Sequence, residues 1–200
     1  MRIILGTAAV LTALLSCSVG HTASSPNVVY ILVDNWGWGD IGVQGSTVPT
    51  PRIDALAAQG MRLTNFNVQN QCTPTRSALH TGRLPIRSGT QKVAAPGEPD
   101  GMAPWEYTLP ELLSDAGYAT ALFGKWHLHP AGEDSFSVPL RHGFDHYDGH
   151  PGNFVKPDGM SSWRRGVNGS VHEEKRYATT VEVDAFLDWW REICLRSIYK

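Results

Sequence analysis

Asn27-Val28-Val29-Tyr30-Ile31-Leu32-Val33-Asp34 is a nearly continuous apolar run that stops at a carboxylate. It lacks the in-out alternation of a strand with one wet face, so it reads as a central parallel strand buried on both faces. Working outward, Thr50-Pro51 opens a helix with Ile53, Leu56 and Ala57 on one face, and Gly60 closes it. Met61 to Val68 alternates loosely and reads as a second strand. Leu84 to Trp105 is rich in turns. Thr108 and Glu111 have the spacing of a capping box for a helix ending at Gly117. Tyr118 to Phe123 is another apolar strand. Residues 130–176 read as irregular, rich in Gly, Pro, Trp and His. From Tyr177 an amphipathic helix carries Val181, Ala185, Phe186, Trp189 and Ile193. Strand and helix alternate, so the expected class is α/β, a largely parallel central sheet flanked by helices. Ligands of such sheets bind beyond the C-terminal strand ends, where Asp34, Lys125 and His127 fall.

The chain has 200 residues, 42% hydrophobic and 18% charged, with net charge −2. That suffices for one domain with a sizeable core. It offers no basic excess for nucleic acid and no polyanionic tail. Arg2 and the apolar stretch Ile3 to Leu15 have the form of an export leader, too short to span a bilayer comfortably. Two processing readings stay open. Ser18-Val19-Gly20 offers small residues for signal peptidase and a leader of residues 1–20. Leu14-Leu15-Ser16-Cys17 resembles a bacterial lipobox, with a leader of residues 1–16 and a lipid on Cys17. The expected location is outside the cytoplasm, in a bacterial periplasm, with a membrane reached only through that lipid. Of the three cysteines, Cys72 and Cys194 then remain, and Cys72 has a better use than a disulfide.

Cys72-Thr73-Pro74-Thr75-Arg76 precedes Ser77-Ala78-Leu79-His80-Thr81-Gly82-Arg83. Thr73 suits an N-cap, Pro74 the first helical position and Gly82 the stop. Cys72 would then lie at the positive end of a helix, a place for an anion. Arg76 is poorly placed for the helix, and its guanidinium fork suits that anion. Taken alone, Cys72 could equally be a small buried hydrophobe and Arg76 a surface charge. After the strand at 118–123, Lys125 and His127 point the same way along an extended chain and could reach one anion. Alone, they could also be a surface lysine and a structural histidine. In Asp34-Asn35-Trp36-Gly37-Trp38-Gly39-Asp40, a carboxylate and a neighbouring amide oxygen suit a hard divalent cation, or an Asx turn that closes the strand. Asp40 reads as a cap for this loop.

The Cys72 run resembles the signature of the type I sulfatases, arylsulfatase-like members of the alkaline phosphatase superfamily, at Cys72, Pro74, Arg76, Thr81, Gly82 and Arg83. Gly117 to His127 resembles the second signature of that family, and Asp34 to Asp40 its N-terminal motif. The resemblance spans about residues 27 to 190. It implies that a maturase oxidises Cys72 to Cα-formylglycine, whose hydrate attacks the sulfur of a sulfate monoester. It implies that Arg76 and Lys125 hold the sulfuryl group, and that His127 serves the hydrate. It implies a Ca2+ or Mg2+ ion held by Asp34, Asn35 and the modified Cys72. In the family two acidic residues stand where this chain has Asp34 and Asn35, so one negative charge is lost. The implied partners are a sulfated small molecule or glycan and the formylglycine-generating maturase.

Residues 27–200 accordingly read as the N-terminal part of a sulfatase catalytic domain. The family's later metal ligands, sulfate-binding histidine and leaving-group lysine find no match in the chain. A fragment, weakly active or inactive by itself, is the expectation. The alternatives are a phosphonate or phosphate-ester hydrolase of the same superfamily and a non-catalytic remnant that binds anions. His129, His142, His146, His150 and His172 follow no zinc spacing and read as loop or specificity residues; His80 reads as structural. Trp36, Trp38, Trp126 and Trp163 read as core. Asn168-Gly169-Ser170 is a glycosylation sequon.

Overall fold

The computed structural model describes residues 25–93, 101–129, 133–154 and 159–198. The expected leader, its cleavage positions and Cys17 lie outside the described residues. The chain divides into two units, Met1–Thr50 and Pro51–Lys200.

In the first unit, residues 25–33 are extended but form no strand. Val28, Val29, Tyr30, Ile31 and Val33 are exposed. Among the described residues this segment belongs to no sheet. The loop after it is held locally. The Asp40 carboxylate accepts the Gly37 N–H at 2.6 Å and starts the short 3₁₀ turn Trp38–Asp40, as its reading as a cap anticipated. A second turn, Gly42–Gln44, is anchored by the Gly42 N–H donating to the Thr50 hydroxyl at 2.8 Å. Trp36 and Trp38 are exposed, against the expectation of core packing.

The second unit carries α1 (Pro51–Gln59), α2 (Cys72–Thr81), α3 (Pro85–Ser88), α4 (Leu109–Asp115), β1 (Ala121–Phe123), β2 (His146–Gly149), β3 (Trp163–Val167), β4 (Ser170–Glu174) and α5 (Ala178–Ile198). The fold is α/β. Its four described strands lie in the order β1-β2-β3-β4. β1 and β2 are parallel, with Leu122 opposite Tyr147; β2–β3 and β3–β4 are antiparallel. The segment 61–68, expected as a strand, is exposed and outside the sheet. The stretch read as irregular supplies three strands instead. Asn168 (φ 49) and Gly169 (φ 90) form the two-residue turn between β3 and β4, and paired left-handed residues match the twist of a hairpin. Asn-Gly is the sequence signal for that turn; its reading as a sequon passed it over.

α4 begins as its sequence predicts. The Thr108 side chain accepts the Glu111 N–H, and the Glu111 carboxylate accepts the Thr108 N–H at 2.7 Å. The core has two parts. Met102, Trp126, Leu128, Val138 and Phe144 pack together under β1, with Leu122 against them. Trp163, Ala178 and Val181 pack where α5 meets the hairpin. Trp126 and Trp163 are thus core residues as expected.

Candidate active site

β1 ends at Phe123, and the chain turns sharply at Gly124 (φ 100). The Gly124 N–H donates to the Asp148 carbonyl at 2.9 Å, which continues the β1–β2 ladder one step past the strand. Of the next residues, Lys125, His127 and Leu128 are tied through their backbone groups. The His127 N–H donates to the Pro151 carbonyl at 2.7 Å, and the Leu128 carbonyl accepts the Met102 N–H at 2.8 Å. His127 itself is held at φ 57, uncommon for a residue with a Cβ, and these bonds are what hold it there.

The N-terminus of α2 closes on this loop. Thr73 was expected as the N-cap and Pro74 as the first helical residue. The helix starts one residue before Thr73, at Cys72, after Gln71 in extended conformation (φ −147). The Thr73 hydroxyl is turned away from its own helix and donates to the His127 carbonyl at 2.8 Å. Buried Arg76 donates from Nη1 to the Lys125 carbonyl at 2.7 Å. Both contacts fasten the helix start to the loop. Gly82 stops the helix as predicted, in the left-handed region (φ 64) with its N–H on the Ala78 carbonyl.

Lys125 Nζ lies 3.2 Å from Cys72 Sγ and donates to Asn153 Oδ1 at 2.6 Å. Cys72 is half-buried. Its sulfur therefore meets a lysine ammonium while standing on the first residue of a helix, so two positive sources act at one atom. The structure brings Cys72, Arg76, Lys125 and His127 together. Arg76 supports the backbone of Lys125, a use its sequence reading did not include. Asn153 was missed altogether. It follows the Pro151-Gly152 turn inside the stretch read as irregular, and a polar amide after such a turn was the available signal.

Thr81 and Arg83, the rest of the helix signature, are structural. The Thr81 hydroxyl donates to the Ser77 carbonyl at 2.7 Å. Arg83 pairs with buried Glu106 at 2.6 Å. Ser77, Ser88 and Thr90 bond one another through buried hydroxyls beneath α2, with Thr90 donating to Ser77 at 2.6 Å. His80 packs between Trp126, 5.2 Å away, and the edge of Phe144. Burial pushes its pKa down to about 4, with Arg76 and His142 adding repulsion. His142 also stacks on Trp126, and burial lowers its pKa too. His80 is thus structural, as its sequence reading held, whereas His142, read as a loop or specificity residue, is buried packing.

Asp34 and Asn35 belong to the first unit and Cys72 to the second. Asn35 takes a left-handed conformation (φ 63) at the turn out of the extended segment. Hard oxygen donors fit Ca2+ or Mg2+ in kind, but two side chains fall short of the roughly 6–8 oxygens calcium takes. Among the described residues no group of three or more His, Cys, Asp or Glu side chains could hold a metal ion.

Residues 26–191 match the model of the Sulfatase family. N-acetylgalactosamine-6-sulfatase of Sus scrofa is 45% identical over 136 residues, which cover 63% of this chain and 26% of that protein. The chain thus spans about a quarter of the length of this curated relative. Among solved structures, the PsFucS1 sulfatase from Pseudoalteromonas sp. aligns with a TM-score of 0.65 at 32% identity, over 83% of this chain and 40% of its own. Another, determined in complex with its substrate D-glucosamine-2-N,6-O-disulfate, aligns with a TM-score of 0.61 at 26% identity over 83% of this chain and 31% of its own. The strand-end lysine, the helix-start cysteine and these matches lead to one assignment: the chain belongs to the sulfatase family.

Proposed function

We propose that this chain carries the nucleophile side of a sulfate-monoester hydrolase, with Cys72 as the position matured to Cα-formylglycine. The observation that carries the reading is Lys125 Nζ at 3.2 Å from Cys72 Sγ, on the first residue of α2. A sulfuryl group seated there would meet the Lys125 ammonium and the N–H groups of the helix start, which are in place before it arrives. The matured residue supplies the attacking oxygen once hydrated. Arg76 and Thr73 keep the Lys125–His127 backbone from moving as charge builds on the ligand. Asn153 orients Lys125 from the opposite side. His127, on the same loop, would take a proton from the hydrate.

We further propose a divalent cation, Ca2+ or Mg2+, with Asp34 and Asn35 among its ligands, and a sulfated glycan as substrate. The glycan is supported by the disulfated glucosamine bound in the relative described above. Export to a periplasm, by the leader in residues 1–20, belongs to the same proposal.

The test is expression of the full chain with and without a formylglycine-generating maturase. Mass spectrometry of the tryptic peptide from Leu63 to Arg76 should show a lighter residue without sulfur at position 72 only when the maturase is present. Whatever aryl sulfate hydrolysis this chain supports, weak by itself, should require the maturase and vanish in Cys72→Ala. An unmodified thiol after co-expression, or measurable turnover that survives in Cys72→Ala, refutes the assignment. An aryl phosphate diester assayed alongside separates this reading from a phosphoester hydrolase.

A further inference from the structure

α5 crosses behind the loop that carries Lys125, and one of its residues is out of keeping with that place. Glu182 is half-buried, and its carboxyl lies against Gly124. The point where a Cβ of residue 124 would stand is 3.3 Å from Glu182 Oε2 and 3.5 Å from Oε1. No hydrogen bond of the described residues satisfies this carboxyl. Its surroundings come from three other elements. β2 presents Asp148 and, beside it, the fully buried Tyr147, whose hydroxyl has no hydrogen-bond partner among the described residues. β3 presents Arg165, whose Nε and Nη2 are already engaged with Asp148 at 2.6 Å each. α2 presents Arg76, which interacts electrostatically with Glu182 while holding the Lys125 carbonyl.

A carboxyl in such a place has a charge that matters at the sulfur of Cys72. Arg165 is already matched by Asp148, so an ionised Glu182 acts on Arg76. It then sets a negative charge behind Lys125 and against Arg76, which holds the Lys125 carbonyl. Protonated, it leaves their field intact. We propose that Glu182 is a positioning residue of the anion site, its charge state setting how strongly Arg76 and Lys125 hold a sulfate group at Cys72. The proposal rests on the sulfatase reading of that site. Burial first, and then Asp148, push the Glu182 carboxyl up to about 7, against the pull of Arg76 and Arg165. The group therefore changes charge within the working range of most proteins. Anion affinity is higher below that value, where Glu182 is neutral, and falls as the pH rises through it. The nearby histidines His80, His142, His146 and His150 are all held below the usual value, mainly by burial, and so change charge at more acid pH.

Inorganic sulfate is the probe, because it keeps its charge across the range. The full chain, titrated calorimetrically, should bind sulfate about fivefold more tightly at about pH 6 than at about pH 8. Glu182→Gln should lose that step and bind at the higher pH as tightly as the parent does at the lower. Lys125→Ala should lose the binding itself. Carbon NMR of the unsubstituted chain gives a second measure that needs no Glu182 variant. Sulfate should raise the titration midpoint of the Glu182 carboxyl, because linkage is reciprocal. Sulfate binding that depends on Lys125 but keeps its pH step in Glu182→Gln, or a midpoint that sulfate leaves in place, overturns the role of Glu182 alone. Absence of any Lys125-dependent sulfate binding overturns the reading of the site as well.

Discussion

Two apolar runs, 27–33 and 118–123, each lead into a polar loop, and they end up in opposite conditions. The second becomes β1, paired in parallel with β2, with Phe123 against Phe186 and Trp189 of α5. The loop that follows it is fixed by hydrogen bonds from α2, Asp148, Pro151 and Met102. The first run stays extended with all its large apolar side chains but Leu32 exposed, Ile31 at 77%. The loop after it is held by bonds within residues 37–50. The contrast shows where precision in a site comes from. Apolar content makes a segment able to be a strand, but a neighbouring ladder makes it one. A functional loop inherits its rigidity from that ladder.

The largest expected effect strikes the ladder. At Gly149 a Cβ would overlap the Gly124 carbonyl, which is backbone and cannot turn aside. Gly149→Ala should force β1 and β2 apart and destabilise the second unit by about 3 kcal/mol. Near the other loop, Gly39 has nothing within 4 Å of its Cβ position. Gly39→Ala should change stability by no more than about 0.5 kcal/mol. Urea unfolding of both variants checks the pair. Equal losses would show that the β1–β2 approach is no tighter than the free loop.

A second effect comes from pH, and it too belongs to the tied region. His80 is neutral in the fold because burial lowers its pKa from 6.5 to about 4. The unfolded chain takes up the proton more readily, so acid favours unfolding. The stabilisation is full above pH 6.5 and is lost as the pH falls toward about 4, by about 2 kcal/mol. Chemical unfolding of the second unit at intervals across that range should show the fall, and His80→Gln should flatten most of it. A slope unchanged in His80→Gln would assign the acid sensitivity to the other buried histidines.

The tied region was also the legible one. Cys72, Arg76, Lys125 and His127 were singled out through the family signatures they carry, while local rules alone left each with a structural alternative. The extended chain expected to aim Lys125 and His127 the same way is instead turned at Gly124 (φ 100) and His127 (φ 57). The capping box of Thr108 and Glu111 and the stop at Gly82 do follow from local chemistry. Partners far along the chain were not legible. Asn153 reaches Lys125 across 28 residues, and Thr73 reaches His127 across 54. No local pattern encodes such contacts. Thr73 shows the point within one residue: its hydroxyl suits an N-cap, and a carbonyl from another loop outcompeted its own helix. The run at 27–33 erred the other way: an apolar pattern reports what a segment could bury, and among the described residues this one joins no sheet.

The smallest effect tests the free loop on its own terms. Asp40 accepts the Gly37 N–H at 2.6 Å, but the pair is exposed, so water competes for both groups. Removing the carboxylate leaves no buried donor behind, and the loss should stay near 0.5 kcal/mol, the low end for a capping contact. Global unfolding will barely register so small a change. Amide exchange will, because the Gly37 N–H has no other acceptor among the described residues and should exchange about twofold faster in Asp40→Ala. The amides of Gly124 and His127, bonded to Asp148 and Pro151, should be unaffected in the same sample. If Gly37 keeps its protection without Asp40, the first loop is held by something stronger than its own cap, and the difference between the two loops is smaller than their hydrogen bonds indicate.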